Sequence, residues 1–176
     1  GTATPFSGDY GISQNPESLA WDNFRLYFTD KQRSAVIRLS QNGITPISTI
    51  GMKNWFRKNM TNRMLGTYDT VNGEYNITFG DGYVEKGQTL SFSEDSKGWV
   101  SFKSFTPQVG ESVSGRYITA ISSGLETPSP KHGVFEHYVD YNLDGEVSNR
   151  NVFYSRLENL ASGNTKQYHT DTSVTL

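Results

Sequence analysis

The chain has 176 residues, enough for one domain with a real core, and a formal net charge of -2. It has no Cys, which excludes a disulfide framework, thiolate zinc sites and a cysteine nucleophile, and adds weight to a microbial or viral origin. No basic block stands out to hold nucleic acid, and no apolar run approaches the roughly 20 residues of a membrane helix. Hydrophobic residues are 34%, on the low side, while aromatics reach 13% beside 17 Gly. Aromatic and β-branched residues fill half-buried pleated surfaces, and Gly and Asn make tight turns. The composition predicts an all-β fold with short strands and many corners.

Residues 1–15 are small and polar and read as an N-terminal linker. Residues 16–50 read as a first four-stranded antiparallel meander: "SLAWD", "FRLYFTD", "SAVIRLS" and "ITPIS", with Phe24, Leu26 and Phe28 at period two. Asn42 and Gly43 form a tight turn, and Pro46 suits an edge strand. Residues 51–63 interrupt the meander. Met52, Trp55, Phe56 and Met60 recur at helical spacing, so one short helix near 51–60 is expected, capping a sheet with Trp55 and Phe56.

Residues 64–110 restart the meander with "MLGTYD", "EYNITF", "TLSFSED" and "GWVSFKSF". Residues 111–176 hold a third, weaker β unit and the C-terminal segment. Roughly 45–60 residues per sheet is the range of propeller blades, and a closed propeller needs about 4–8 of them. The fold reading is therefore β-propeller-like repeated meanders, as a fragment of a larger propeller, or the same sheets stacked as a sandwich. The start at Gly1 and the alternating end "TDTSVTL" are what a piece of a longer polypeptide would show.

One ribbon recurs. "LYFTDKQRSAVIRLS", from Leu26, aligns without a gap on "LSFSEDSKGWVSFKS", from Leu90, placing Asp30 over Glu94, Arg33 over Lys97 and Val36 over Val100. The copies fall on strands two and three of the first meander and three and four of the second, and the second strand slips its alternation. Asp30, Glu94 and Asp95 lie beside Lys31, Arg33 and Lys97 in these turns. A carboxylate pair for glycoside hydrolysis is one reading. Recurrence at equivalent hairpins favours the other, solvated corners with weak local ion pairs.

"DYNLDGEVSNRN", Asp140 to Asn151, places oxygen ligands at Asp140, Asn142 and Asp144, Gly145 at the turn, the Glu146 carbonyl next and Ser148 after it, the spacing of a calcium loop. Asn151 stands where a bidentate carboxylate belongs. A bare hairpin with a "DG" turn accounts for the same residues. His132 and His137 are five apart and would face opposite sides of one strand, and His169 is remote. No "GxSxG" elbow or phosphate loop is present. Trp21, Trp55 and Trp99 suit either a sugar-stacking platform or core packing, and core packing is favoured. Asn59 and Asn76 head glycosylation sequons and read as unmodified.

Asn15 to Ser48, "NPESLAWDNFRLYFTDKQRSAVIRLSQNGITPIS", resembles one blade of the NHL and YVTN type propeller repeat, with Pro before a short strand, an acidic turn and a Gly turn. A longer series is more specific: "LYFTDKQRSAVIRLSQNGITPISTIGMKNWF", "MLGTYDTVNGEYNITF", "LSFSEDSKGWVSFKSFTPQVGESVSGRYIT" and "NVFY", in that order. It resembles the tail nozzle or muzzle proteins of crAss-like and marine tailed phages, over roughly Asn15 to Tyr154. Ser155 departs from the Gly expected there, and the "VDYNLDGEVSNRN" loop is not a fixed part of the pattern. The resemblance implies a non-enzymatic virion tail component, one copy in a homo-oligomeric ring, with other tail proteins as partners and no cofactor. The alternative is an NHL-like propeller module that binds a glycan or peptide, or part of a secreted hydrolase.

Overall fold

The computed structural model describes residues 8–80, 87–121, 133–138, 154–158 and 166–170. The fold is all-β with a single short α-helix among these residues. Three antiparallel sheets follow one another along the chain, each built from consecutive strands. The first holds β1 (Ala20–Trp21), β2 (Leu26–Asp30), β3 (Ala35–Ser40) and β4 (Gly43–Pro46). Pro46 closes the edge strand β4, where its missing N–H costs no ladder bond. A 3-10 turn (Ile47–Thr49) leads to α1 (Lys53–Asn59). The second sheet holds β5 (Met64–Asp69), β6 (Glu74–Phe79), β7 (Gln88–Ser93) and β8 (Gly98–Lys103). The third holds β9 (Val109–Val113), β10 (Arg116–Ile121), β11 (Gly133–Glu136), β12 (Tyr154–Glu158) and β13 (Lys166–Thr170).

The corners share one construction. The β2–β3, β5–β6 and β7–β8 hairpins each close with four residues, 31–34, 70–73 and 94–97. The residue before each loop turns a side-chain oxygen onto the third loop N–H: Asp30 accepts from Arg33 at 3.1 Å, Asp69 from Asn72 at 3.3 Å and Ser93 from Ser96 at 3.3 Å. Such side-chain-to-backbone bonds are why Asp and Ser favour turns. The fourth loop residue takes a left-handed backbone in all three: Ser34 (φ 51), Gly73 (φ 66) and Lys97 (φ 48). The turn therefore matches Ser93, not Glu94, to Asp30. The gapless alignment is one residue out at this corner. The ladder shifts again between Ser91 and Phe92, which pair with Ser101 and Trp99 and leave Val100 as the extra residue of a bulge. Val36 is fully buried while Val100 is 41% exposed, which is the slip in alternation.

The second sheet is covered on both faces, by different chemistry. One face carries Met64, Gly66, Tyr68, Tyr75, Ile77, Phe79, Leu90, Phe92 and Trp99. It shares one apolar core with Tyr27 and Val36 of the first sheet, Ile47 of the 3-10 turn and Phe56 of α1. Tyr27 stacks on Tyr75 at 4.8 Å between ring centres, and Phe56 lies 4.7 Å from Trp99. Gly66 is required here: a Cβ would sit 2.0 Å from the Ser18 carbonyl oxygen. Tyr75 donates its hydroxyl to that same carbonyl, and the Trp99 indole donates to the Ile47 carbonyl, both at 3.0 Å. These bonds satisfy the polar ends of buried aromatics. The opposite face carries Thr67, Asp69, Asn76, Thr78, Thr89, Ser91 and Ser93, all buried.

Candidate functional site

The buried polar face is the first place to look for chemistry. Strand alternation puts Thr67, Asn76 and Ser91 side by side in register, and the third sheet lays Tyr117 over them. The Ser91 hydroxyl donates to Asn76 Oδ1, and Asn76 Nδ2 donates to the Tyr117 hydroxyl at 3.3 Å. Tyr117 is then free to donate to Thr67 Oγ1 at 2.7 Å. A second chain runs from Thr78 to Thr89 (2.8 Å) and on to the Phe105 carbonyl (2.6 Å). Glu74 pairs with Lys103 at 2.8 Å. Asp69 accepts from its own turn, at the Val71 and Asn72 N–H groups and the Asn72 amide.

The Ser91, Asn76, Tyr117 and Thr67 side chains thus bond one another, with no external ligand needed. Burial, the largest cause, raises the Tyr117 and Tyr138 phenols far above the ordinary tyrosine value, and the Asp69 charge raises Tyr138 further. A phenol held protonated is a poor base. His137 lies in the same layer, 4% exposed, with Nε2 at 2.8 Å from Thr119 Oγ1 and its ring 4.4 Å from Phe105 and 4.9 Å from Tyr117. Backbone pairing sets His169 opposite Ser155 in the β12–β13 hairpin, and His132 lies outside the described residues. Among the described residues no group of three His, Asp or Glu side chains is placed to hold a metal. The calcium loop of Asp140, Asn142, Asp144 and Glu146 lies outside the described residues.

The acidic corners part company. Asp30 is 2% exposed rather than solvated, held by Arg33 at 3.0 Å and by the Gly11 N–H at 3.1 Å. Glu94 keeps its carbonyl in the turn, accepting from the Lys97 N–H at 3.2 Å, but turns its carboxylate away. It accepts from Tyr27 at 2.8 Å and pairs with Arg38 at 2.9 Å, with Arg25 at 3.6 Å. Arg25 also grips Asp22 at 2.8 Å. Glu94 thus ties the second sheet to the first, while Asp30 is engaged by Arg33 and the Gly11 N–H. Asp95 is exposed. The clamp was hidden in the sequence because its partners lie 56 and 67 residues away. Burial, then the Glu94 hydrogen bond, raises the Tyr27 phenol; Tyr68 beside it is pushed up to about 12, by burial first and the Asp22 charge second.

Trp55 and Trp99 pack against the core, as expected. Trp21 does not: it is 56% exposed, and with Phe24 (73%) and Leu26 (39%) it borders a shallow groove of about 350 Å³ on the first sheet. Asn76 is fully buried, so its sequon cannot carry a glycan in the fold, and Asn59 donates its side-chain amide to the Trp55 carbonyl at 2.7 Å.

A charge asymmetry was missed in the sequence because it is spread out. Between Asp30 and Asp69 stand seven Lys and Arg and no carboxylate; the rest of the chain has nine against eighteen. Arg25, Arg33, Arg38, Lys103 and Arg116 each have a carboxylate partner. Lys53, Arg57, Lys58 and Arg63 have none among the described residues; the first three stand exposed on α1. A polar groove of about 410 Å³ adjoins them, lined by Lys58, Asn59, Thr61, Asn62 and Gln88.

No described helix is long and apolar enough to cross a membrane. No curated protein and no solved structure matches the chain. One family model does, described as Crassvirus muzzle protein, over residues 5–122. That span takes in the first and second sheets entire and both strands that open the third.

Proposed function

The chain belongs to the Crassvirus muzzle protein family and so is a structural component of a phage virion, and from that premise we propose that it works in the tail nozzle, as one copy of a homo-oligomeric ring. Its action in this reading is mechanical and non-enzymatic, through contacts with identical copies and with other tail proteins. The family match over most of the chain carries the proposal. What supports it is that Asp30 and Asp69 are engaged by their own turns and Glu94 by Tyr27, Arg25 and Arg38 of the first sheet, while the grooves beside α1 and Trp21 are shallow. A protein that acts by assembly needs broad surface, not a cleft with converging catalytic groups.

The propeller-like arrangement belongs to the same proposal. Successive meanders with consecutive strand order, and first strands β1, β5 and β9 lying side by side, are what consecutive blades would have. Calcium at Asp140, Asn142, Asp144 and Glu146 is a separate expectation, checked by titrating the metal into the purified chain.

Cryo-electron microscopy of the intact virion tests the main reading. Copies of this fold arranged in a ring at the tail end are the expected result. The same fold found only in the capsid or its interior would sink the nozzle assignment while leaving the chain a virion protein.

A further inference from the structure

The second sheet is covered on both faces, whereas among the described residues the first and third each turn one face outward. Register fixes which face that is. Ala20 and Tyr27 pair across β1 and β2 and point into the core, so Trp21 and Leu26, the next pair, point away from it. Leu39 and Ile44 continue that outward row across β3 and β4. The stretch before β1 covers the far part of this face. The Gly11 N–H bonds Asp30 at 3.1 Å, a Cβ on Gly8 would sit 3.3 Å from Ile44 Cδ1, and Ile37 in the middle row is fully buried. It leaves open the β1 end, where Trp21, Phe24 and Leu26 stand exposed around their groove.

Alternation on β9 divides the third sheet in the same way. Ser112 donates its hydroxyl to the Tyr68 carbonyl at 2.7 Å, and a Cβ on Gly110 would meet the Thr67 methyl at 3.0 Å, so these two face the second sheet. Val109 and Val113 face away from it and are 57% and 53% exposed. Ala120 and Val134 extend the Val109 row across β10 and β11. Single exposed apolar residues are ordinary. These fall instead on the first strand of each end sheet, the strand that meets its counterpart inside the molecule: β1 lies beside β5, and β5 beside β9. One more such step sets β9 beside the β1 of another copy, with Val109 and Val113 toward Trp21 and Leu26. Two different faces in contact make a head-to-tail interface, which closes into a ring when the rotation allows.

We propose that the outward face of the third sheet, at Val109 and Val113, packs on the outward face of the first sheet of a second copy, at Trp21, Phe24 and Leu26. This rests on the reading of the protein as a ring-forming component and names both sides of its contact. The contact repeats between copies the face-to-face sheet packing that the chain makes within itself. Trp21 and Phe24 supply most of its apolar area. Salt screens charges and leaves such a contact standing.

The test is sedimentation velocity of the full chain as wild type, as Trp21→Glu and as Val109→Glu/Val113→Glu. All three substituted residues are exposed, so the β signal in circular dichroism and the melting midpoint serve as controls for the fold. The wild type is expected to assemble, and no less at about 500 mM than at about 50 mM salt. Each variant alone should assemble at least about tenfold more weakly, because it sets a charge against an apolar face. Mixed in equal parts, the two variants should form a dimer and stop there, since only one junction joins two intact faces. If only one variant loses assembly, the face altered in the other is no part of the contact and the proposal fails. If both assemble as well as the wild type, neither face is the contact, and the ring reading stands without it. A wild type that stays monomeric up to about 100 μM, enough to fill a micromolar contact, overturns the proposal and leaves the nozzle reading to the virion map.

Discussion

Tyr27 stands where the first two sheets meet, its ring stacked on Tyr75 and Tyr68 and its hydroxyl on Glu94. Among the described residues it is one of five tyrosines whose phenols the fold holds above their ordinary value, with burial as the leading cause in each. Such a phenol keeps its proton longer folded than unfolded. The stability it contributes is complete below about pH 10, where the unfolded phenol titrates, and is lost as pH rises from there through the folded value, about 12 for Tyr68. Each buried phenol steepens that loss by up to about 1.4 kcal/mol per pH unit. Urea melts between pH 9 and 11 should therefore show a fall in stability that is shallower in Tyr75→Phe; equal slopes would mean the phenol titrates alike in both states. Lys97 shows the opposite economy. It is exposed and carries a left-handed backbone that costs a non-glycine residue about 1 kcal/mol. Lys97→Gly relieves this and loosens the unfolded chain, for a net gain of about 0.5 kcal/mol by chemical denaturation.

At the scale of elements, the repeated corner matters less than what it leaves free. Three four-residue turns, each fixed by a side-chain oxygen at the residue before it, hold the hairpins without using the side chain of the first loop residue. Glu94, first in its loop, is then available to cross to Arg25 and Arg38. At Gly66 the second sheet also meets the backbone of Ser18, at the end of the 3-10 turn Pro16–Ser18 that leads into β1, so rigid backbone rather than a movable side chain meets any added carbon. Gly66→Ala must push the 3-10 turn off the second sheet or deform β5, at a cost of about 2–3 kcal/mol. Thermal melts of the variant check this. A loss below about 0.5 kcal/mol would show that Ser18 can withdraw without effort.

For the molecule as a whole, the sequence made the strands legible because alternation is local: Tyr75, Ile77 and Phe79 mark one face of β6 unaided. The corner positions and Pro46 were legible for the same reason. What alternation cannot say is which sheet covers the other face. Thr67, Asn76, Thr78, Thr89 and Ser91 look like residues for solvent, yet all are buried: Tyr117 of the third sheet bonds Thr67 and Asn76 from 50 and 41 residues away, Thr89 reaches the Phe105 carbonyl, and Thr78 and Ser91 bond their cross-strand neighbours. The Glu94 clamp and the cationic face of α1 escaped notice likewise, one resting on distant partners and the other on a diffuse excess of charge. The two layers differ in what holds them. Apolar burial between the first and second sheets is lost only by exposing aromatic surface to water, whereas each bond of the polar layer can be remade with water once the sheets part. Opening should therefore begin at the second layer. Hydrogen exchange read by mass spectrometry should find β6 and β7, covered on both faces, the slowest strands, with β9 and β10 exchanging at a lower free energy and as a group. Equal protection across all of these strands would mean that the polar layer opens only with the rest of the fold.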